Sequence, residues 1–455
     1  MSYSQYLSSV TKTLRDRVLV KVDDGEARSV LEAAIRALAG MTDSLDEARA
    51  PALPEGLSGE ETKLPNPPES AAVRPHTARA IAQAAERVAG GADAAPLVAW
   101  ERALMAEGIA TMKAQEKPSP AAMQESGPDP LLILPQTVEA YFREKYDDSA
   151  RVSQFRQAIG GRSRQTVIFN LEGNTGLPRE LVVQRDHPAG ISPRSVVDEY
   201  PVLELLAPTP MKSARPVLVE ASGAALGAPF MVTVRSSGSV AGPDYFDPPK
   251  DPALAVQLAG QLAILHSVDP SPVVAGLSPT LPEGESWTAE LDRLEATWEK
   301  WRHWPCVSAT AAFGWMRAHV GDIGAEKVLI HNDAAFHNIL VEDGTITALL
   351  DWELVHLGHP AEDLGYCRPF IQEMGQWEAF LDAYVAAGGQ RFPRSVIDYF
   401  SMRSQLHLMT LMQAGGRSMF ENGVTDDINL AEVGTSFMPK VMLRLANIVA
   451  EVLDA

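Results

Sequence analysis

The sequence predicts an α+β protein of two lobes, a small antiparallel sheet lobe followed by a mostly helical lobe, preceded by a helical N-terminal extension. Three observations carry this. Residues 157–186 (QAIGGRSRQTVIFNLEGNTGLPRELVVQRD) alternate apolar and polar positions, are rich in Val and Ile, and are punctuated by Gly, Asn and Pro as antiparallel hairpins require. From about Asp251 onward, segments such as LAVQLAGQLAILHSV and SWTAELDRLEATWEKW are long and helical in pattern. Before residue 134, apolar residues recur at helical steps between proline-rich stretches. A sheet first and helices after gives an α+β order rather than an alternating one. The expected division is 1–134, 135–240 and 241–455.

In the first segment, Leu7, Val10, Leu14 and Val18 recur at three- and four-residue steps, as do Leu31, Ile35 and Leu38, so each set lines one helix face. Residues 49–75 hold Pro51, Pro54, Pro65, Pro67, Pro68 and Pro75, and residues 117–130 are similar; each Pro removes a backbone donor, which reads as linker or extended strap. The Ala-rich run from His76 to Lys117 between them is helical. No reactive constellation occurs there, so a packing, dimerising or lid role is expected, with a homodimer as the partner. Next come the helix TVEAYFREKY, the hairpins, the helix SVVDEYPVLELL and the apolar strand in APFMVTVRSSG.

Composition narrows the function classes. The 455 residues carry 39 Lys and Arg against 59 Asp and Glu, a net charge of −20, which repels a phosphate backbone and argues against nucleic acid as a partner. Cys306 and Cys367, the two cysteines, stand in neither disulfide nor zinc spacing. No run reaches the roughly 18 apolar residues of a membrane span, and the start lacks the apolar core of a signal peptide. A cytoplasmic protein with no membrane partner is expected.

The chemistry concentrates in VLIHNDAAFHNILVEDGTITALLDWELVHLGHPAEDLGY. An apolar strand delivers His331, Asn332 and Asp333; Asn338 follows five residues after Asp333. The Asp343-Gly344 pair between two apolar runs predicts a hairpin that returns Asp351 to the neighbourhood of Asp333 and Asn338. Two carboxylates and an amide oxygen at strand ends make a hard, oxygen-rich site. Mg²⁺ uses one or two such carboxylates and takes its other ligands from water and phosphates, so Asn338 and Asp351 are the candidate metal ligands. Asp333 would accept the proton of an attacking hydroxyl, because phosphoryl transfer asks a protein mainly for positioning and charge neutralisation.

These residues, with Trp352 and the later Glu362-Asp363-Leu364, resemble the aminoglycoside phosphotransferase and choline kinase family, relatives of the protein kinases, over roughly residues 135–455. The resemblance implies a bilobal protein-kinase-like fold, ATP and Mg²⁺ as cofactors, and a small-molecule hydroxyl as acceptor. It implies that His331 holds the catalytic loop and that Asp363 accepts backbone donors from it. Glu353 could reach the metal or merely be solvated. His337, His356 and His359 read as ordinary loop histidines.

For the nucleotide lobe the resemblance puts Gly160, Gly161, Arg162, Ser163 and Arg164 over the phosphates, where glycine lets backbone donors approach and the arginines add charge. The family's phosphate-pairing cation should follow the apolar run of ELVVQRD, where Gln184 stands with Arg185 next. Gln cannot supply the charge, so either Arg185 does or the loop arginines do. Glu199 matches the acidic partner of that cation, and backbone groups of Val232 to Val234 match the adenine-binding hinge.

For the acceptor, Met402, His407, Met409, Met412 and Met419 share one helical region, and Trp287, Trp298, Trp301 and Trp304 another, both read as core. A polycationic antibiotic would need a dense acidic lining, and residues 371–420 hold no compact acidic run. The segments GGRS, LVVQRD, DEYPVL, GAPF, LAILHSVD and DWE together resemble the branch of the family that includes the kinase domains fused to acyl-CoA dehydrogenases, which implies action on hydroxyacyl-CoA. A hydroxyacyl-CoA or related catabolic alcohol is therefore the expected acceptor. The alternatives are an antibiotic kinase or a nucleotide-binding regulator without turnover.

Overall fold

The computed structural model describes residues 75–115, 133–157, 164–186, 194–242, 248–302, 305–421 and 438–454. The expected helices around Leu7–Val18 and Leu31–Leu38, both proline-rich linkers, Gly160, Gly161, Arg162, Ser163 and Trp304 lie outside them, as does the side chain of Met419. The chain divides into two compact units that interleave along the sequence.

One unit comprises Pro130–Glu285 and Gly324–Phe400. It begins, after α1 (Pro75–Ala89) and α2 (Ala95–Gln115) of the other unit, with helix α3 (Pro135–Lys145) and a five-stranded antiparallel sheet of β1 (Arg151–Gln157), β2 (Arg164–Glu172), β3 (Glu180–Asp186), β4 (Pro216–Glu220) and β5 (Phe230–Val234), in the order β1-β2-β3-β5-β4. Alternation sorts its residues. Val167, Phe169, Leu181, Val183, Phe230 and Val232 face Val138 and Phe142 of α3 in one apolar core. The register pairs Arg164 with Asp186 and Thr166 with Gln184, which puts these four on the opposite face.

That second face meets α4 (Val196–Leu206), tied to the end of β3 because Asp186 accepts from the Val196 amide at 3.0 Å and the Ser195 hydroxyl at 2.6 Å. Ser195 in turn caps the helix by accepting from the Val197 amide. After β6 (Ser239–Val240) and α5 (Ala253–Ser267) come two small antiparallel assemblies. Between α5 and β7 in the chain, α6 (Trp287–Trp301) and α7 (Val307–His319) belong to the other unit. β7 (Val328–Ile330) pairs with β10 (His356–Gly358), while β6 joins β8 (Ile339–Glu342) and β9 (Thr345–Leu349). The expected Asp-Gly hairpin forms: Glu342 pairs with Thr345 across Asp343 and Gly344, whose φ values of 49° and 73° are those a two-residue primed turn demands. α8 (Ala361–Glu373), α9 (Trp377–Ala386) and the start of α10 (Arg394–Glu421) complete the unit.

The other unit gathers α1 (Pro75–Ala89) and α2 (Ala95–Gln115) with residues 286–323, which hold α6 and α7, and with residues 401–455, which hold the end of α10 and α11 (Met438–Leu453). The expected division into three consecutive segments therefore differs from the compact units, and a single side chain shows why. Glu101 of α2 is fully buried, and its carboxylate accepts from the amides of Val307 at 2.7 Å and Ser308 at 2.8 Å and from the Ser308 hydroxyl. It thus satisfies donors at the start of α7 that have no partner within that helix. Glu101→Ala should cost about 2 kcal/mol, in the range of a lost cap plus stranded donors, read as a lower urea midpoint. Trp287, Trp298, Met402 and Met409 are buried, in keeping with core roles. Among the described residues no helix is long and apolar enough to cross a membrane.

Candidate active site

Strand β7 ends at Ile330 and hands the chain to His331, Asn332 and Asp333. Asn332 adopts φ 61° and Asp351, after β9, φ 65°, left-handed conformations that Asn and Asp tolerate best among non-glycine residues. Such strain persists only where the surroundings fix it. The fixing group is Asp363 in the first turn of α8, which is fully buried and accepts from the His331 amide at 3.0 Å and the Asn332 amide at 2.7 Å. Burial would raise its carboxyl, yet the hydrogen bond and electrostatic pull of His266 lead the opposing influences and hold it below the ordinary carboxylate value. The His266 Nε2 lies 3.1 Å from Asp363, and its Nδ1 lies 2.7 Å from the hydroxyl of buried Tyr384.

His331 is engaged at both ring nitrogens. Its Nδ1 accepts from the Asp333 amide at 3.1 Å, so its Nε2 carries the proton donated to the Leu350 carbonyl at 3.0 Å. The neutral ring is thus satisfied at both nitrogens and packs against Trp352. Burial lowers its pKa from 6.5 to about 4. A base whose folded value is depressed contributes stability that is whole above its unfolded value of 6.5 and lost as pH falls toward 4. His331→Gln, which can still accept and donate, should flatten the acid limb of melting temperature against pH.

Asp333 is half-buried and held at both oxygens. Oδ1 accepts from the Tyr366 hydroxyl and Oδ2 from the Asn338 amide at 2.8 Å. Desolvation pushes its carboxyl up to about 7, against the Tyr366 bond, which lowers it. Asn338, on a single turn of 3₁₀ helix (Phe336–Asn338), has its amide nitrogen committed to Asp333, while its backbone carbonyl accepts from the Leu350 amide at 2.8 Å. That bond sets Asn338 beside the exit of β9, where Asp351 stands. The Asp351 carboxyl is raised well above its ordinary value, by burial first and then by repulsion from Glu353, Asp333 and Glu199. Carboxylates that repel one another around an amide oxygen are a donor set a hard divalent cation fits, and Mg²⁺ needs no more from a protein.

α8 supplies more than Asp363. Tyr366 and Cys367 lie three and four residues on, hence on the same helix face, and the Cys367 thiol approaches the Ala334 carbonyl at 3.5 Å. One face thus touches residues 331 to 334 in succession. Sequence reasoning missed Tyr366, although its three-residue step from Asp363 was a usable signal. It also missed His266 and Tyr384, whose pairing across 118 residues leaves no local signal. His356 and His359 are engaged with Glu362 and Glu326, as structural residues would be.

In the sheet lobe Glu199 is buried and pairs with Arg164 of β2, one of the two arginines of the glycine-containing segment, rather than with Gln184 or Arg185 of β3. Arg185 points to the other face of the sheet, where its guanidinium donates to the Leu226 carbonyl and to Gln165. The other oxygen of Glu199 accepts from the Trp352 amide at 3.3 Å, linking α4 to the residue after Asp351. Val232 and Val234, expected at the adenine hinge, lie on β5. β5 lies between β3 and β4, Val232 is paired on both sides, and the Val234 amide donates to the Arg215 carbonyl.

A model of the Phosphotransferase enzyme family matches residues 154–403, more than half of the chain. Acyl-CoA dehydrogenase family member 11 from Mus musculus and from Rattus norvegicus are each 25% identical over 264 residues, covering 53% of this chain and 32% of the relative. The chain therefore spans about a third of the length of these curated relatives. A Ralstonia eutropha protein assigned as an aminoglycoside phosphotransferase is 18% identical with a TM-score of 0.52, covering 70% of this chain and 98% of that one. This last likeness is one of fold, the kinase-like arrangement expected from the sequence.

Proposed function

The chain belongs to the Phosphotransferase enzyme family, and on that premise we propose that it transfers the γ-phosphoryl group of ATP to a hydroxyl of a small molecule, with a hydroxyacyl-CoA or related catabolic alcohol as the acceptor. The observation that carries the reading is the convergence of Asp333, Asn338 and Asp351, with Asp333 hydrogen-bonded at both oxygens and still holding free lone pairs.

Asp333 accepts the acceptor's proton as its oxygen bonds to phosphorus and the bond from phosphorus to the ADP oxygen breaks. A carboxyl raised to about 7 suits a base working near neutrality. Tyr366 and Asn338 fix the carboxylate plane, so the remaining lone pairs aim in one direction. Asn338 and Asp351 would hold Mg²⁺, which when bound supplies charge neutralisation for the phosphates. The acyl-CoA reading of the acceptor is supported by the names of the curated relatives.

The test is ADP release from Mg·ATP in the presence of hydroxyacyl-CoAs, sugars, amino alcohols, aminoglycosides and macrolides. Stimulation by a hydroxyacyl-CoA supports the full reading. Stimulation by an antibiotic alone keeps the chemistry and replaces the acceptor. If no acceptor stimulates release and Asp333→Asn leaves basal ATP hydrolysis unchanged, the catalytic reading fails in favour of a nucleotide-binding regulator.

A further inference from the structure

An arginine is seldom buried unless its donors are met. Arg164 is 4% exposed, and only part of its guanidinium is satisfied. One terminal nitrogen donates to Glu199 and the other to the Arg194 carbonyl at 3.1 Å, while Nε is buried with no partner among the described residues. The charges of Asp351 and Glu353 reach the guanidinium and favour its cationic state. The head group therefore sits between α4 and the carboxylate cluster with a donor unused.

The strand where a kinase-like fold carries its phosphate-pairing lysine is β3, and here β3 offers no cation on that face. Gln184 lies on it but is neutral, and Arg185 is turned to the opposite face. Arg164 shares the face of Gln184 on the adjoining strand, two residues along in register, because Arg164 pairs with Asp186 and Gln184 with Thr166. Diagonal neighbours of this kind are about 7–8 Å apart, a gap a long cationic side chain can span.

We infer that Arg164 is the residue by which this chain grips the nucleotide phosphates, the role having moved from β3 to β2 while Glu199 is retained as its partner. The inference rests on the phosphotransferase reading and deepens it. It gives the buried ion pair a purpose beyond packing: Glu199 fixes a guanidinium that keeps one donor, Nε, without a protein partner among the described residues. It also explains how β3 can carry Gln184 without losing the charge that phosphate binding needs.

The experiment is calorimetric titration of the full chain with Mg·AMP-PNP and, separately, with adenosine. Arg164→Gln should weaken AMP-PNP binding by about 10- to 100-fold, the scale of a charge-assisted hydrogen bond, and leave adenosine binding unchanged. Adding Gln184→Arg to Arg164→Gln should recover most of the lost affinity. Because Arg164→Gln strands a buried carboxylate, Arg164→Gln with Glu199→Gln serves as the second variant, and a cooperative melt shows that each is folded. A folded variant that binds AMP-PNP like the wild type overturns the inference, as does equal loss of AMP-PNP and adenosine. Wild-type protein that binds neither ligand overturns the phosphotransferase reading itself.

Discussion

Asp333→Asn is expected to lower acceptor-stimulated ADP release by about 10²- to 10⁴-fold, the usual worth of a positioned general base, while leaving the protein at least as thermally stable as the wild type. The two halves share one cause. Asn keeps the shape and an acceptor oxygen for the Tyr366 hydroxyl, yet removes a carboxylate whose environment disfavours its charge, pushing it from 3.8 to about 7. A carboxyl raised in the folded state binds more protons there than in the unfolded chain between those values. Stability contributed by Asp333 therefore falls as pH rises through that window. The melting temperature of Asp333→Asn minus that of the wild type, measured in chelator without nucleotide, should grow from pH 4 to pH 7. A difference that shrinks with rising pH would contradict the assignment. Lost activity with retained stability is the pattern of a group held for chemistry against its own solvation preference.

Asp363→Ala should do the opposite and damage both properties. The fully buried carboxylate takes the backbone amides of His331 and Asn332, in the loop that carries Asp333, and one nitrogen of His266. Truncation leaves all three without that acceptor in the interior, at a cost of about 3–5 kcal/mol, or a melting temperature lower by on the order of 10 °C. Asn332, held at φ 61° partly by this carboxylate, would relax toward commoner backbone conformations and carry Asp333 with it. ADP release should fall to background, and Asp363→Asn, which retains one acceptor oxygen, should lose less stability. Circular dichroism melts beside the release assay separate the two variants. A stable but inactive Asp363→Ala would place Asp363 in the chemistry instead.

How far the sequence announced this depends on how local each arrangement is. The Asp343-Gly344 turn, the strand before His331 and the spacing from Asp333 to Asn338 are short-range features, and a hairpin brings Asp351 back by geometry alone. Asp363 was legible through resemblance, its contacts with the loop backbone lying 31 and 32 residues away. The partner of Glu199 was not legible, because choosing among Arg164, Gln184 and Arg185 requires the register of β2 against β3, and a one-residue slip turns each side chain to the other face. At Val232 and Val234 the apolar run reveals a strand but not that β5 has a neighbouring strand on each side. The interleaved units were hidden as well, since Glu101 meets Val307 across 206 residues and leaves only an ordinary helical glutamate in the sequence.

Glu199 is engaged twice, one oxygen on Arg164 and the other on the Trp352 amide. Many signalling kinases keep these parts separated until an activation event assembles them. Here the same parts are joined by contacts of the fold itself, so on the proposed function little ordering would be left for ATP to impose. On the proposed function, a chain built this way would need no separate assembly step, and nucleotide association should follow a single kinetic phase with no slow isomerisation.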